Sequence, residues 1–299
     1  MSKMTNKIKK TPEEIAFNIV ALTICTLFAA ICILPILYTV SGSFTSNIAI
    51  SDGLQLIPKE FSLEGYKMIF VAPERMLKAY GVTILLVIFG TALGLLCTTT
   101  TSYVLYRKDF KYRSFVSFFF FFTTLFSGGA VPGYVLHCWL GMRDTFLILL
   151  LSGFFGVMHM IIMRTYFTGN VPLSLVESAK IDGADDFRIY WNIVLPAATP
   201  ILATVGLLTA LGYWNNWATA RVYISNPDLY PLQYYLYKVF DTAQLQRQLA
   251  EIGQADLATL PTETYKMAMT VFTMGPVVLF YPFVQKYFVS GVTIGAVKG

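Results

Sequence analysis

Six apolar runs alternate with polar segments along the chain, at about Ala16–Val40, Leu77–Tyr106, Phe115–Leu136, Thr145–Phe167, Ala198–Val222 and Met267–Val289. Each accommodates the helix of about 20 residues that crosses the hydrocarbon of a bilayer. Glycines and prolines inside the runs, among them Gly90, Gly94, Pro132, Pro200 and Pro276, do not argue against helix, because lipid offers the backbone no other partner. The first run is longer than the roughly 7–15 residue core of a signal peptide, and no small-residue cleavage site closes it, so it reads as a retained span. Phe118–Phe122 is aromatic on every helical face and reads as lipid-facing bulk.

Composition agrees with this pattern. The chain is 56% hydrophobic and 13% charged, with mean hydropathy +0.60, whereas soluble domains carry about 25% charge. Too little polar surface remains to coat a water-soluble globule. The net charge of +5 is explained by bilayer topology rather than nucleic acid, for which nothing argues. More than half of the 22 Lys and Arg fall in the short segments that share a side with the N-terminus. The hairpin Arg107–Arg113, with Lys108 and Lys111 between, is the clearest marker of that side as cytoplasmic. The expectation is an all-α membrane protein with six transmembrane helices and both termini in the cytoplasm. Residues 1–15 and 290–299 are then cytoplasmic tails flanking a membrane domain, 16–289. Within that domain, 168–196 is a cytoplasmic loop and 223–266 an extracellular one. Cys25, Cys32, Cys97 and Cys138 read as small buried thiols, and His137 and His159 lack metal-ligand spacing, so no metal is assigned.

One polar interruption stands out, Pro172 to Pro196. Ser174 and Glu177 have capping-box spacing, which predicts a helix from about Leu175 to Asp182, stopped by Gly183 in a left-handed turn. Asp185 or Asp186 then opens a second short helix through Trp191. Leu175, Ala179 and Asp182 share a face of the first helix, and Phe187, Tyr190 and Trp191 form an aromatic patch on the second. A helix this short is marginal alone. It suits either a partner's groove or a membrane headgroup layer.

The chain lacks an engine of its own. It has no G-x-x-x-x-G-K-[ST] phosphate loop, and no G-x-S-x-G, H-E-x-x-H or calcium-loop pattern. No nucleophile–base pair marks a polar segment, which argues against a membrane-anchored enzyme. Acids do not thread the spans, as an ion-coupled carrier usually requires.

The run from Glu177 to Pro196 resembles the EAA loop of ABC-importer permeases, E-A-A-x-x-x-G-A-x-x-x-x-x-F-x-x-I-x-L-P. Glu177, Ala179, Gly183, Ala184, Ile193, Leu195 and Pro196 match without a gap, with Ser178 for alanine and Tyr190 for phenylalanine. The C-terminal run Gln285–Gly299 and the segment Gly212–Trp217 resemble the smaller permease subunit of maltose-type carbohydrate importers, in particular the oligosaccharide-import branch of Gram-positive bacteria. The resemblance is strongest from about Gly169 onward. It implies a type I importer permease in a bacterial plasma membrane, without catalytic residues. The implied partners are a second permease, two ATPase subunits that bind ATP and Mg, and an extracellular sugar-binding lipoprotein. Glu177, Ser178, Ala179, Asp182, Gly183 and Ala184 would contact the ATPase. Gly291, Gly295, Lys298 and Gly299 would form a tail reaching between the ATPase subunits. The loop recurs across substrate classes, so a non-sugar solute stays open.

Two further groups carry paired readings. Trp214, Asn215, Asn216 and Trp217 combine aromatic faces with amides that suit a sugar, and suit helix–helix contact equally. Tyr230, Tyr234, Tyr235 and Tyr237 fit an interfacial aromatic belt or a docking surface for the binding protein.

Overall fold

The computed structural model describes residues 11–51, 53, 56–71, 73–251 and 263–296, which form helices and turns with no strand among them. Fifteen α-helices follow in order among these residues. They are α1 (Pro12–Ser43), α2 (Asn47–Ser51), α3 (Glu64–Ile69), α4 (Pro73–Tyr106), α5 (Arg113–Leu125), α6 (Ala130–Trp139), α7 (Phe146–Leu151) and α8 (Val157–Asn170). Then come α9 (Leu173–Ile181), α10 (Asp186–Ile189), α11 (Leu195–Ala197), α12 (Thr199–Trp214), α13 (Ala218–Tyr223), α14 (Leu232–Glu251) and α15 (Glu263–Ala296). A π-helical turn, Tyr190–Val194, joins α10 to α11. The described residues divide into two compact units. One holds those up to Val71 with the start of α15 to Phe272, and the other holds the remainder.

In the first unit, α1 begins at a capping box that the sequence reading passed over. The Thr11 hydroxyl accepts from the Glu14 amide, the Glu14 carboxylate accepts from the Thr11 amide, and Pro12 occupies the first turn, where its missing N–H costs nothing. Only Ser41, Gly42 and Ser43 of α1 are buried. A Cβ on Gly42 would fall 2.1 Å from the Met267 sulfur, and one on Gly65 would fall 2.7 Å from the Thr264 carbonyl oxygen. Small residues thus let α1, α3 and α15 meet closely. The Thr264 hydroxyl donates to the Thr45 carbonyl at 3.1 Å, and Ser43 bonds the Tyr66 hydroxyl at 2.9 Å.

The second unit is organised on α4, which packs chiefly against α12 and α8. Its surface is notched where neighbours approach. The Tyr213 ring fills the space above Gly90, and the Phe154 carbonyl lies over Gly94. Close approach through small residues is how helices associate where no hydrophobic force separates them from lipid. Hydroxyls complete the contacts: Ser102 donates to the Met160 carbonyl at 3.0 Å, and Thr83 accepts from the Leu232 amide at 2.8 Å.

Several expected spans are not single helices in the structure. Among the described residues α1 and α4 are each long and apolar enough to cross a membrane, and two bent helix pairs raise the number to four if each pair is one span. Phe115–Leu136 is broken into α5 and α6, bent by 112°, because Gly129 takes φ +90 at the joint. Thr145–Phe167 is interrupted between α7 and α8 at Gly153 and Gly156, and Ala198–Val222 between α12 and α13 at Asn215–Trp217. The run Met267–Val289 lies within the single helix α15. Of the four free cysteines, Cys97 and Cys138 are half-buried, whereas Cys25 and Cys32 are exposed on the bare surface of α1 rather than buried. Phe118, Phe119, Phe121 and Phe122 are exposed as expected of lipid-facing bulk.

The same substitution therefore has opposite consequences at two glycines. Gly94→Ala places a Cβ 2.6 Å from a backbone oxygen and should cost about 1–3 kcal/mol through overpacking. At Gly212 of α12 no atom lies within 4 Å of the added Cβ, and alanine there should be neutral or stabilising by up to about 1 kcal/mol. Thermal unfolding in detergent checks the pair: the Gly94→Ala midpoint should fall and the Gly212→Ala midpoint should not.

Candidate functional site

The segment Pro172–Pro196 folds into two short helices joined by a tight turn, with its start shifted from expectation. Pro172 is the N-cap of α9 and no side chain caps it, so the expected Ser174–Glu177 capping box does not form. Pro172 takes an extended ψ of 131 and its carbonyl accepts from the Leu175 amide at 3.1 Å. The preceding Val171 is buried. Tertiary anchoring on the N-terminal side thus starts the helix two residues early, leaving Ser174 inside it.

The C-terminal end of α9 matches the reading. Gly183 takes φ +80, a region costly for residues with a Cβ. Its amide bonds the Lys180 carbonyl at 3.0 Å, and the Ala184 amide bonds the Ala179 carbonyl at 2.9 Å. Those two bonds are the paired signature of a Schellman stop. Asp185 then caps α10, its carboxylate accepting from the Arg188 amide at 2.7 Å. The π-turn that follows accommodates Pro196, which has no N–H for the Asn192 carbonyl.

The inner face of this loop is tied to the end of α4. Val176, Ile189, Tyr190 and Val194 are buried with Phe167, Tyr103 and Tyr106. The Tyr190 and Thr99 hydroxyls lie 2.5 Å apart, and the Tyr106 hydroxyl donates to the Val171 carbonyl at 2.8 Å. Tyr190 therefore faces inward and leaves the expected aromatic patch to Phe187 and Trp191, whose rings are 6.0 Å apart. Ion pairing adds a second tie. Arg107, almost wholly buried, donates to Asp109, to the Asp186 carboxylate at 2.7 Å and to the Tyr103 hydroxyl at 2.8 Å. Lys180 of α9 reaches the same Asp109 at 2.7 Å. Beside them lies an open cavity of about 300 Å³ lined by Tyr103, Val104, Arg107, Asp109, Phe110 and Asp186.

Hydrogen bonds from Arg107 and then Lys180 hold the Asp109 carboxyl well below the usual carboxylate range. For Arg107, burial opposes the charge, yet its bonds to Asp109 and Tyr103 outweigh that and raise its pKa further. The sign is that of a depressed acid: the linkage stabilises the fold above the ordinary Asp value of about 3.9 and is lost only as pH falls toward the lower folded value. The tie therefore holds throughout the neutral range.

The outer face is bare. Ile181 is 86% and Phe187 71% exposed, with Leu175 and Trp191 also exposed. Glu177, Ser178, Asp182 and Gly183 lie on the exposed side, and Ala179 and Ala184 are half-buried against the core. The structure thus gathers the six predicted contact residues on one short helix and its stop. It adds Arg107 and Asp109, from a hairpin read only as a charge marker, and Asp186, read only as a helix opener.

The other predicted groups are distributed differently. Gly291 and Gly295 lie in α15, which stays helical to Ala296; Lys298 and Gly299 fall outside the described residues. Trp214 ends α12 half-buried, edge-on to Tyr80 at 6.3 Å. Asn215, Asn216 and Trp217 form the break before α13, with the Asn215 side chain accepting from the Gln233 amide at 3.4 Å. Tyr234 is 4% exposed and packs between Tyr230, at 4.8 Å, and Tyr237, at 6.0 Å. Its ring area is spent inside the protein. Tyr230, Tyr235 and Tyr237 are half-buried.

Removing the buried cation should loosen the loop without unfolding the helices beneath it. Arg107→Ala should cost about 1.5–3 kcal/mol in hydrogen bonds to charged groups, and Lys180→Ala, an exposed pair, less than about 1 kcal/mol. Amide hydrogen exchange over 173–190 checks this: protection should fall markedly for the first variant, slightly for the second, and remain unchanged in α4 and α12.

Comparison with known proteins places the arrangement in a family. Residues 15–294 match the family model described as binding-protein-dependent transport system inner membrane component. The chain is 37% identical over 275 residues to the polygalacturonan/rhamnogalacturonan transport system permease protein YtcP of Bacillus subtilis (strain 168), covering 91% of this chain and 95% of that one. It is 36% identical to protein LplC of the same organism, with 90% of each chain covered. It also superposes on a chain from the crystal structure of a bacterial ABC transporter involved in the import of the acidic polysaccharide alginate. There the TM-score is 0.82, the identity 29%, and the coverage 93% of this chain and 99% of that one. With a family model spanning nearly its whole length, the chain belongs to the inner membrane components of binding-protein-dependent transport systems.

Proposed function

We propose that this chain is one of two permease subunits in an ATP-driven importer of carbohydrate, with carboxylate-bearing oligosaccharides among its substrates. The observation that carries the reading is the loop α9–α10: anchored through Arg107 on one face and bare in Leu175, Ile181, Phe187 and Trp191 on the other. An exposed apolar ridge on a fixed short helix suits a groove in another protein. That protein is the ATPase, which holds ATP and Mg; Glu177, Ser178, Ala179, Asp182, Gly183 and Ala184 meet it. Six spans with both ends in the cytoplasm put this loop on the ATPase side, and 223–266 toward the extracellular binding protein. Closure of two ATPases draws the coupling loops together and turns the pathway outward by alternating access. Nucleotide and binding protein contribute only by preferring one state. The substrate reading draws on relatives named for polygalacturonan/rhamnogalacturonan transport and for import of alginate.

Reconstitution tests the reading. In liposomes holding this chain, its sister permease and the ATPase, uptake of oligosaccharide should require both ATP and the binding protein. The chain alone, given an ion gradient, should take up nothing; uptake under that condition would make it a secondary carrier instead.

At the turn, charge and backbone effects separate. Gly183→Asp should lower transport at least tenfold while insertion and ATP hydrolysis persist, because a carboxylate enters the ATPase groove. Gly183→Asn tolerates the left-handed conformation without the charge and should keep most of the transport. Wild-type uptake by Gly183→Asp would remove this loop from the coupling path.

A further inference from the structure

Where α12 breaks, the chain sets a cation beside an aromatic face. Trp217 caps α13 and Arg221 follows one turn later, its amide bonded to the Trp217 carbonyl at 2.9 Å. Tyr237 of α14 meets both. The Trp217 and Tyr237 rings stack at 5.2 Å with 20° between their planes, and the Arg221 guanidinium lies 5.1 Å from the centre of the same Tyr237 ring. Tyr237 is backed in turn by Tyr234, stacked at 6.0 Å and buried. Both side chains thus rest on one rigid support. Trp217 nonetheless remains 41% exposed, and Arg221 is exposed.

Several cations of the chain are neutralised by carboxylates, whereas Arg221, like Lys238 over the Tyr234 ring, is placed on an aromatic face. Lys78 pairs with Asp228, Arg107 with Asp109 and Asp186, Lys180 with Asp109, and Lys266 with Glu263. Among the described residues, no carboxylate lies within pairing distance of Arg221 and no side-chain hydrogen bond engages its guanidinium. Toward the described residues its N–H edges are unspent. The exposed Asn215 amide, with Gln233 beside it, adds donors and acceptors at the same break.

We infer that Trp217, Arg221 and Tyr237, with Asn215 and Gln233, form a binding subsite for a uronate residue of an acidic oligosaccharide. A pyranose presents a C–H face suited to an indole ring, and a uronate carries its carboxylate at the rim of that ring. A guanidinium adjacent to the stacking surface takes such a carboxylate in a two-pronged bond, and the amides serve the hydroxyls. The inference rests on the importer reading and places the carboxylate specificity on this chain.

The test is direct binding of trigalacturonate, and of its fully methyl-esterified form, to the assembled permease–ATPase complex in nanodiscs of neutral lipid, by saturation-transfer NMR. Wild type should bind the acid at least tenfold more tightly than the ester. Arg221→Gln should weaken the acid about tenfold or more and leave the ester unchanged, with Arg221→Lys recovering part of the loss. Trp217→Ala should weaken both forms alike. Equal wild-type affinity for acid and ester, or an Arg221→Gln complex that binds the acid normally, would overturn the subsite. So would an Arg221→Gln effect that appears only when phosphatidylglycerol is present, which assigns the cation to lipid, or one confined to binding-protein stimulation of the ATPase. Import of neutral saccharides without acid discrimination sinks this inference alone; failure of the reconstituted importer to move any saccharide sinks the importer reading with it.

Discussion

A buried guanidinium cannot be left without counter-charge, and at the end of α4 this requirement joins two parts of the chain that lie far apart in sequence. Arg107 is fixed by Asp109 within its own hairpin, then shares its remaining donors between Tyr103 and Asp186. Asp186 opens α10, so the loop cannot shift without unpairing a charge that has little water to replace it. Neighbouring hydroxyls repeat the constraint, Tyr190 to Thr99 and Tyr106 to Val171. Through them α9 and α10 behave as an outgrowth of α4 rather than as an independent loop.

That helix carries contacts along its whole length. Toward its N-terminal end Lys78 pairs with Asp228 and Thr83 accepts from Leu232. In the middle Gly90 receives the Tyr213 ring, and the Tyr213 hydroxyl donates to the Leu150 carbonyl. The aromatic series Trp217, Tyr237, Tyr234 and Tyr230 lies on elements fastened to that N-terminal half. One continuous helix therefore runs from the α9–α10 loop to the region where α12 breaks.

Much of this was legible from residues. Gly183 signals its own left-handed turn because no other residue takes φ +80 so cheaply, and Asp185 signals a cap because its short carboxylate reaches an amide three residues on. The interrupted spans were not legible. Glycine and proline are tolerated in membrane helices, so pattern alone does not reveal that Gly129 takes φ +90 or that the chain breaks at Asn215–Trp217. Capping boxes show the same limit twice. Thr11–Glu14 forms one where nothing else fixes the helix start, whereas Ser174–Glu177 does not, since buried Val171 and Pro172 set that start first. Arg107 stayed hidden because a cytoplasmic R-K-D is indistinguishable by pattern from a topology signal; only the fold brings Asp186 to it. Tyr190 was assigned to the outer face because periodicity cannot reveal its partners, the Thr99 hydroxyl and the Tyr103 ring, which the fold supplies.

The bare flank of α1 has a consequence for the membrane itself. The apolar stretch Ala16–Val40 precedes the three buried residues, Ser41 to Ser43, that fasten the helix within its unit. At about 1.5 Å per residue, such a stretch exceeds the roughly 30 Å of bilayer hydrocarbon. The surplus is accommodated by tilt or by local thickening of lipid. Among the described residues only Ser41–Ser43 grip this helix, so wherever no other chain covers it, hydrophobic mismatch acts on its inclination.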